Sequence, residues 1–475
     1  MNRDKLLVRR RIGDLETPVS ALLKLGPQEA GSFLFESILG GTRLGRYSFI
    51  GLMPKTWFRV QNGQSDMAGA ADFSDAVTLT ASPQDALRQF ADMARAEADE
   101  PLPPMASGAF GYIGYDAIRY IEPVEIKAQP DLAVPDILLV IPKIVIIFDH
   151  LYQEILLIAR YSGSDREAAQ ERLDDIEARL ARPAPLSPAD QSAKDLTFQS
   201  NTSRAQYLQM VEKAKAYARA GDIFQVVPSQ RFTAEFQAQS ISFYRALRRL
   251  NPSAFMFHMS FGDLRLVGSS PEILVRLREG RVAIRPIAGT RPRSGDPVED
   301  ARRAESLLAD EKEMAEHLML LDLGRNDVGR VAAYGSVEVT ERFIIERYSH
   351  VMHIVSHVEG DLRDGLDAVD VLFAGFPAGT VSGAPKIRAM QIIDELEVSR
   401  RGIYGGAIGY FGWQGDLDTC IALRTGLIKD GKLHIQAGGG VVLDSDADYE
   451  FKETLHKASA LKRAAELAAT YEYDQ

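Results

Sequence analysis

The feature that most limits the fold is an apolar run at residues 134–148, interrupted by Pro135, Asp136, Pro142 and Lys143. No uninterrupted apolar stretch reaches the ~20 residues that a membrane helix needs. The run reads instead as buried strand. Residues 137–147 and 154–161 read as a strand pair around Asp149-His150, and 33–35 and 47–51 as strands flanking a Gly40-Gly41 turn. Further strand-like runs lie at 223–227, 255–259, 265–267, 273–277, 403–411, 419–428 and 432–437. Helical spacing recurs at 165–181, 204–220, 300–323, 385–396 and 449–468. The expected class is α+β with much antiparallel sheet.

At 475 residues the chain is too long for one ordinary core. The Pro-, Ala- and Ser-rich stretch 182–200 is the linker candidate, between an N-terminal domain at 1–181 and a C-terminal domain at 201–475. A net charge of −11 leaves no basic excess for a nucleic acid or an anionic membrane. The single cysteine, Cys420, permits neither an internal disulfide nor a cysteine-based metal site. Residues 1–25 lack the apolar core of a signal peptide, so the expected location is the cytoplasm.

Two acidic pairs draw attention to chemistry. Glu313 and Glu316, and again Glu450 and Glu453, are three residues apart in helical runs, so each pair shares a helix face. Such faces are most often simply solvated. They also suit a hard divalent cation, because Mg²⁺ takes a few carboxylates and keeps several waters. His317 and Lys457 share the same two helical runs. His353 lies in a strand-like run, opposite His350 and Met352, where a histidine is more often a packing residue than a catalyst. The glycine-rich turn 376–386 opens a helix, with Pro385 expected in its first turn, and lacks a Walker A ending. Gly438-Gly439-Gly440 follows a strand and lets backbone approach a ligand closely. Arg424, in a strand-like run, needs an anionic partner if buried.

Five strings occur in one order: Gly221-Asp222-Ile223-Phe224-Gln225-Val226-Val227, Gly268-Ser269-Ser270-Pro271-Glu272, Asp322-Leu323-Gly324-Arg325-Asn326-Asp327, the 379–386 loop and the 450–457 helix. In this order the chain resembles the chorismate-utilising enzymes. Phe33-Leu34-Phe35-Glu36-Ser37 and Arg43-Leu44-Gly45-Arg46-Tyr47-Ser48-Phe49 resemble the regulatory part of anthranilate synthase component I. The resemblance implies two intertwined α/β domains on packed, roughly orthogonal antiparallel sheets. It implies that Glu316 and Glu453 hold Mg²⁺, with Glu313 and Glu450 in supporting positions. Tyr404, Arg424 and the backbone of Gly438, Gly439 and Gly440 are implied for the enolpyruvyl carboxylate of chorismate. Gly289, Thr290 and Thr380 are implied to line the ring, with Lys457 near a substrate carboxylate.

The implied reaction adds ammonia at ring C2 with loss of the 4-hydroxyl, then eliminates pyruvate to give anthranilate. Glu272 is the candidate acid for the departing hydroxyl, and His353 a base or proton shuttle in the elimination. Water-using relatives carry a lysine where this chain has Gln225, and aminodeoxychorismate synthases a nucleophilic lysine where it has Ala288. Cys420 lies in no nucleophile-like context, so a glutamine amidotransferase subunit is expected as partner in a hetero-oligomer. Tryptophan feedback is implied at Ser37 and at Ala254, Phe255 and Met256, where Ala254-Phe255 replaces the family's Pro-Tyr. The rivals are aminodeoxychorismate synthase component I, a non-catalytic chorismate-binding regulatory subunit, and a Mg²⁺-dependent phosphoryl-transfer enzyme, for which no signature is present.

Overall fold

The strand Ile137–Asp149 organises the first part of the chain in the computed structural model, which describes residues 3–39, 43–185, 195–348 and 351–471. It pairs antiparallel with Tyr47–Gln61, Glu154–Tyr161 and Gly108–Ile113. A register shift falls between Ile141 and Pro142. Before it, Ile137, Leu139 and Ile141 enter one core, and after it Ile144, Ile146 and Phe148 enter another. The opposite face, Leu138 and Val140 and then Val145 and Ile147, stays in a third core throughout. The parity of the inward residues therefore changes across a bulge. Proline has no N–H to give a ladder, so Pro142 suits that position. The residues that interrupt the apolar run mark where the strand changes which core it serves.

The first two cores are covered by helices. Pro18–Leu25, Arg166–Leu180, Ser240–Leu250 and Ala447–Leu467 pack on one. Pro83–Met93, Glu311–Val331, Ala368–Gly375 and Lys386–Leu396 pack on the other. The densely charged helix Arg166–Leu180 still buries Ala169, Leu173, Ile176 and Leu180 along one stripe. The third core is built almost entirely of strand residues, sheet packed on sheet. Phe33 stacks on Phe110 at 4.6 Å and Phe35 on Phe49 at 5.1 Å. Each such buried ring contributes about 2 kcal/mol by area alone. The antiparallel α+β expectation holds.

Two pairings join residues before and after the expected linker in one sheet. Phe33–Glu36 pairs with Phe255–Phe261, and Gly108–Ile113 with Ala407–Gly412. Within 182–200, residues 186–194 lie outside the described residues, and Gln199–Ser200 forms a short strand against Phe232 and Thr233. The Gly40-Gly41 turn and His350 also lie outside them.

Three local expectations are corrected. The single helix expected at 300–323 is two, Pro297–Leu308 and Glu311–Val331, because the Asp310 side chain caps the second by accepting from the N–H groups of Lys312 and Glu313. The single strand expected at 419–428 is two, Leu417–Ile421 and Thr425–Lys429, so Arg424 lies between strands. Pro385 precedes the first turn of Lys386–Leu396, in extended conformation as its N-cap. No helix among the described residues is long and apolar enough to cross a membrane.

Candidate active site

The helices Glu311–Val331 and Ala447–Leu467 each carry one glutamate pair. Glu313 sits one turn inside its cap and pairs with Arg291 at 3.1 Å, while Arg291 also holds Asp310 at 2.8 Å. Burial, with Glu313 next, holds the Glu316 carboxyl above its ordinary range, and Glu453 of the other helix adds to the effect. Gln225 Nε2 donates toward Glu316 Oε1 at 3.5 Å. On the second helix Glu450 is buried, and burial with the neighbouring Glu453 pushes its carboxyl up. For Glu453 burial is outweighed by Lys457, whose ammonium lies 2.9 Å away, and the carboxyl sits below its ordinary value. Lys457 also donates to the carbonyl of Gly438 at 3.0 Å, tying this helix to the glycine run.

The glycines are there because the approach is close. A Cβ on Gly439 would stand 3.0 Å from Glu450 Oε2, and one on Gly440 2.5 Å from Gln225 Nε2. Tyr404 is buried, and its hydroxyl lies 3.0 Å from where a Cβ on Gly438 would stand. Gly289 occupies a bulge in Ile287–Pro292 between the pairs Ala288↔Ile354 and Thr290↔His353, at φ +68°. A side chain there would press on Glu313 Oε2 at 3.1 Å.

His353, on Val351–Asp361, has Nδ1 2.9 Å from the carbonyl oxygen of Gly289 and 3.1 Å from Thr290 Oγ1. Burial lowers its pKa, so the ring is neutral at pH 7. His317, by contrast, packs away from the glutamates: it is buried, its Nε2 bonds Ser356 Oγ at 2.8 Å, its Nδ1 has no partner among the described residues, and burial pushes its pKa down to about 4.

Glu272 follows Pro271 at the start of Ile273–Arg278 and is buried, with Thr380, Arg424 and Lys457 as the groups that act on it. Burial dominates and pushes its carboxyl up to about 8. Arg424 holds φ +46°, a left-handed conformation that costs a non-glycine residue about 1–3 kcal/mol. Among the described residues its guanidinium has no ion pair or side-chain hydrogen bond, and burial lowers its pKa. A half-buried, strained arginine without an ion pair suits an anionic ligand.

Glu450 Oε2, Gln225 Oε1 and Thr380 Oγ1 are likewise buried without a hydrogen-bond partner among the described residues. No three His, Cys, Asp or Glu side chains among the described residues group as a closed metal cage. Mg²⁺ does not require one, because it takes one or two carboxylates and fills its octahedron with water and substrate oxygens. The facing glutamate pairs, one with an unpaired oxygen, fit that donor set.

Of the other residues singled out from sequence, Ser37, Ala254 and Phe255 line a separate cavity of 1270 Å³, also bordered by Tyr410, Arg276 and Asp418. This cavity does not border the two glutamate pairs. Met256 does not border it: the next residue along the strand from Phe255, it is fully buried in the helix-covered core. Ala288 is buried in the bulged strand, and Cys420 is core, its thiol pushed up by burial. Sequence reading missed Arg291, although it directly follows Gly289-Thr290, and a buried ion pair between Asp327 and Lys386 at 2.9 Å, although both residues stood in quoted strings. Their partners are far apart in the chain, and no spacing signals them.

The family model described as chorismate binding enzyme matches residues 42–463. Anthranilate synthase component 1 of Cereibacter sphaeroides is 48% identical over 480 residues, covering 99% of this chain and 96% of that protein. The crystal structure of anthranilate synthase component I from Streptococcus pneumoniae superposes with a TM-score of 0.80 at 36% identity, covering 96% of this chain and 99% of that one. The menaquinone-specific isochorismate synthase MenF of Escherichia coli shares the fold, with a TM-score of 0.74 at 21% identity over 98% and 95% of the two chains. With this arrangement of residues, and with relatives matched from end to end, the chain belongs to the anthranilate synthase component I family of chorismate-binding enzymes.

Proposed function

We propose that this chain converts chorismate and ammonia to anthranilate and pyruvate, the first committed step of tryptophan biosynthesis. The observation that carries the reading is near-full-length identity of 46–48% to several anthranilate synthase component 1 proteins, with every expected acidic residue present. Aminodeoxychorismate synthase component I is disfavoured by Ala288, since a methyl group cannot attack the substrate.

In this reading the unpaired guanidinium of Arg424, the Tyr404 hydroxyl and the backbone of Gly438, Gly439 and Gly440 take the enolpyruvyl carboxylate. Lys457 lies near a substrate carboxylate, and Gly289, Thr290 and Thr380 line the ring. Glu316 and Glu453, with Glu313 and Glu450 supporting, would hold Mg²⁺, which would supply Lewis acidity at the ring carboxylate. Glu272, kept protonated by burial, gives its proton to the departing 4-hydroxyl. Neutral His353 takes up a proton during elimination of pyruvate.

Ammonia comes from outside. Gln225 and Ala288 offer no amine, and the only cysteine is buried with its thiol held neutral. A glutamine amidotransferase subunit is therefore the expected partner in a cytoplasmic hetero-oligomer. L-Tryptophan is the expected feedback ligand, at Ser37 and the Ala254-Phe255-Met256 string. The test of the whole reading is anthranilate fluorescence from chorismate, Mg²⁺ and ammonium at alkaline pH.

A further inference from the structure

A small cavity of 30 Å³ is bordered by Glu272, Thr380 and Asp327, with Leu320, Leu323 and Gly379 as apolar wall. That volume holds a water, and a water needs two to four polar partners. Two carboxyl groups and the unpaired Thr380 hydroxyl provide them. Asp327 is buried at 5% exposure and accepts from the Lys386 ammonium through both oxygens at 2.9 Å. Lys386 retains 11% of its side-chain exposure, so it is the end of this chain of groups that meets solvent. The loop is pinned where it crosses the helix: a Cβ on Gly379 would stand 2.0 Å from Leu323 Cδ2, leaving no room between Thr380 and Glu311–Val331. Lys386, Asp327 and the cavity thus lie in that order between solvent and Glu272.

We propose that the Asp327–Lys386 pair and a water in this cavity return a proton to Glu272 after each turnover. The inference rests on the reading of Glu272 as the acid for the leaving hydroxyl. When the C4–O bond breaks, its electron pair goes to the oxygen, which takes the Glu272 proton and leaves as water. Glu272 is then a carboxylate inside an apolar wall, and it regains one proton from the cavity water. That water is refilled through Asp327 from the Lys386 ammonium, which takes one proton from solvent. One proton enters and one leaves with the product water. Asp327 and Lys386 touch no reacting atom and act through Glu272.

The discriminating variant is Lys386→Arg. Arginine keeps the charge and the pair with Asp327, so the fold and the loop position are retained, but it does not give up a proton. Rapid mixing should show the first turnover at the wild-type rate and chorismate KM unchanged, while steady-state turnover falls about tenfold, within the range of proton-transfer contributions. Asp327→Asn should show the same split, with an increased solvent deuterium isotope effect in steady state only. A merely structural pair predicts that Lys386→Arg behaves as wild type, or that first and later turnovers fall together. Either result overturns the relay. Glu272→Gln is measured alongside: if it turns over normally, the acid reading itself fails, a distinct outcome from loss of the relay.

Discussion

His353 Nδ1 lies 2.9 Å from the carbonyl oxygen of Gly289. A carbonyl only accepts, so in the neutral ring the proton sits on Nδ1 and Nε2 carries the free lone pair. The bulge that creates Gly289 thus selects the tautomer able to take a proton. His353→Gln removes that base. Ammonia addition should survive better than elimination, so an aminated, non-fluorescent intermediate should build up ahead of anthranilate when the reaction is followed by chromatography. Proportional loss of both products would show that His353 has no special part in the second half.

Glu272 should make both activity and stability depend on pH. Its folded carboxyl is pushed up to about 8 from an ordinary value of 4.5. A raised acid pKa means stability is fully present below 4.5 and is lost as pH rises through 8. Glu272→Gln should therefore unfold later than wild type at pH 8–9, by an amount on the order of a few kcal/mol, and the gain should vanish near pH 4. Activity should run the other way, with turnover lowered by about 10²–10⁴. Thermal melts across this range check the first part; a variant no more stable at pH 9 than at pH 4 contradicts it.

Ala288 tests what keeps the ring open to ammonia. Ala288→Lys places an amine at this position of the bulged strand, one residue before Gly289. Ammonia-dependent anthranilate formation should drop by at least about tenfold, since a misplacement of the reacting groups by 1 Å can cost about 10². Mass spectrometry of the variant after mixing with chorismate shows whether the new amine attacks. Wild-type rates in Ala288→Lys would remove the methyl group from the account.

The parts of this arrangement differ in how far they could be read from the sequence. The strand pair around Asp149-His150 and the helix expected at 204–220 were legible, because each is decided locally by apolar runs and turn residues. The break at Asp310 was not: the helical spacing continues through it, and only the competition of the Asp310 side chain for two N–H groups divides the helix. Arg424 read as strand because it stands in an apolar run, whereas it lies in the connection between two strands, at a left-handed φ that no local pattern signals. Arg424 acts on both Glu272 and His353, and Lys457 on both Glu272 and Glu316, across separations that have no periodicity. This arrangement was legible only through family resemblance. The glutamate pairs looked like solvated faces from spacing, and it is the burial of Glu450 that sets them apart.

The 1270 Å³ cavity bordered by Ser37, Ala254 and Phe255 offers a separate test. Arg276 pairs with Asp418 at 3.1 Å and Arg278 with the same oxygen at 3.5 Å, so two cations share one anion beside the cavity. Such a wall favours a ligand that brings a carboxylate. L-Tryptophan should give a binding isotherm by calorimetry that Ser37→Ala weakens while Mg²⁺ binding is unaffected. No heat with tryptophan, while chorismate and Mg²⁺ bind, would contradict the assignment.

The most direct measurement of the central claim is anthranilate fluorescence with the purified chain alone, in chorismate and Mg²⁺ at alkaline pH, with ammonium or with glutamine as the nitrogen source. The account predicts fluorescence with ammonium, none with glutamine until an amidotransferase subunit is added, and loss of the ammonium signal on chelation. Full activity with glutamine alone, or a product that needs a further lyase before it fluoresces, would contradict it.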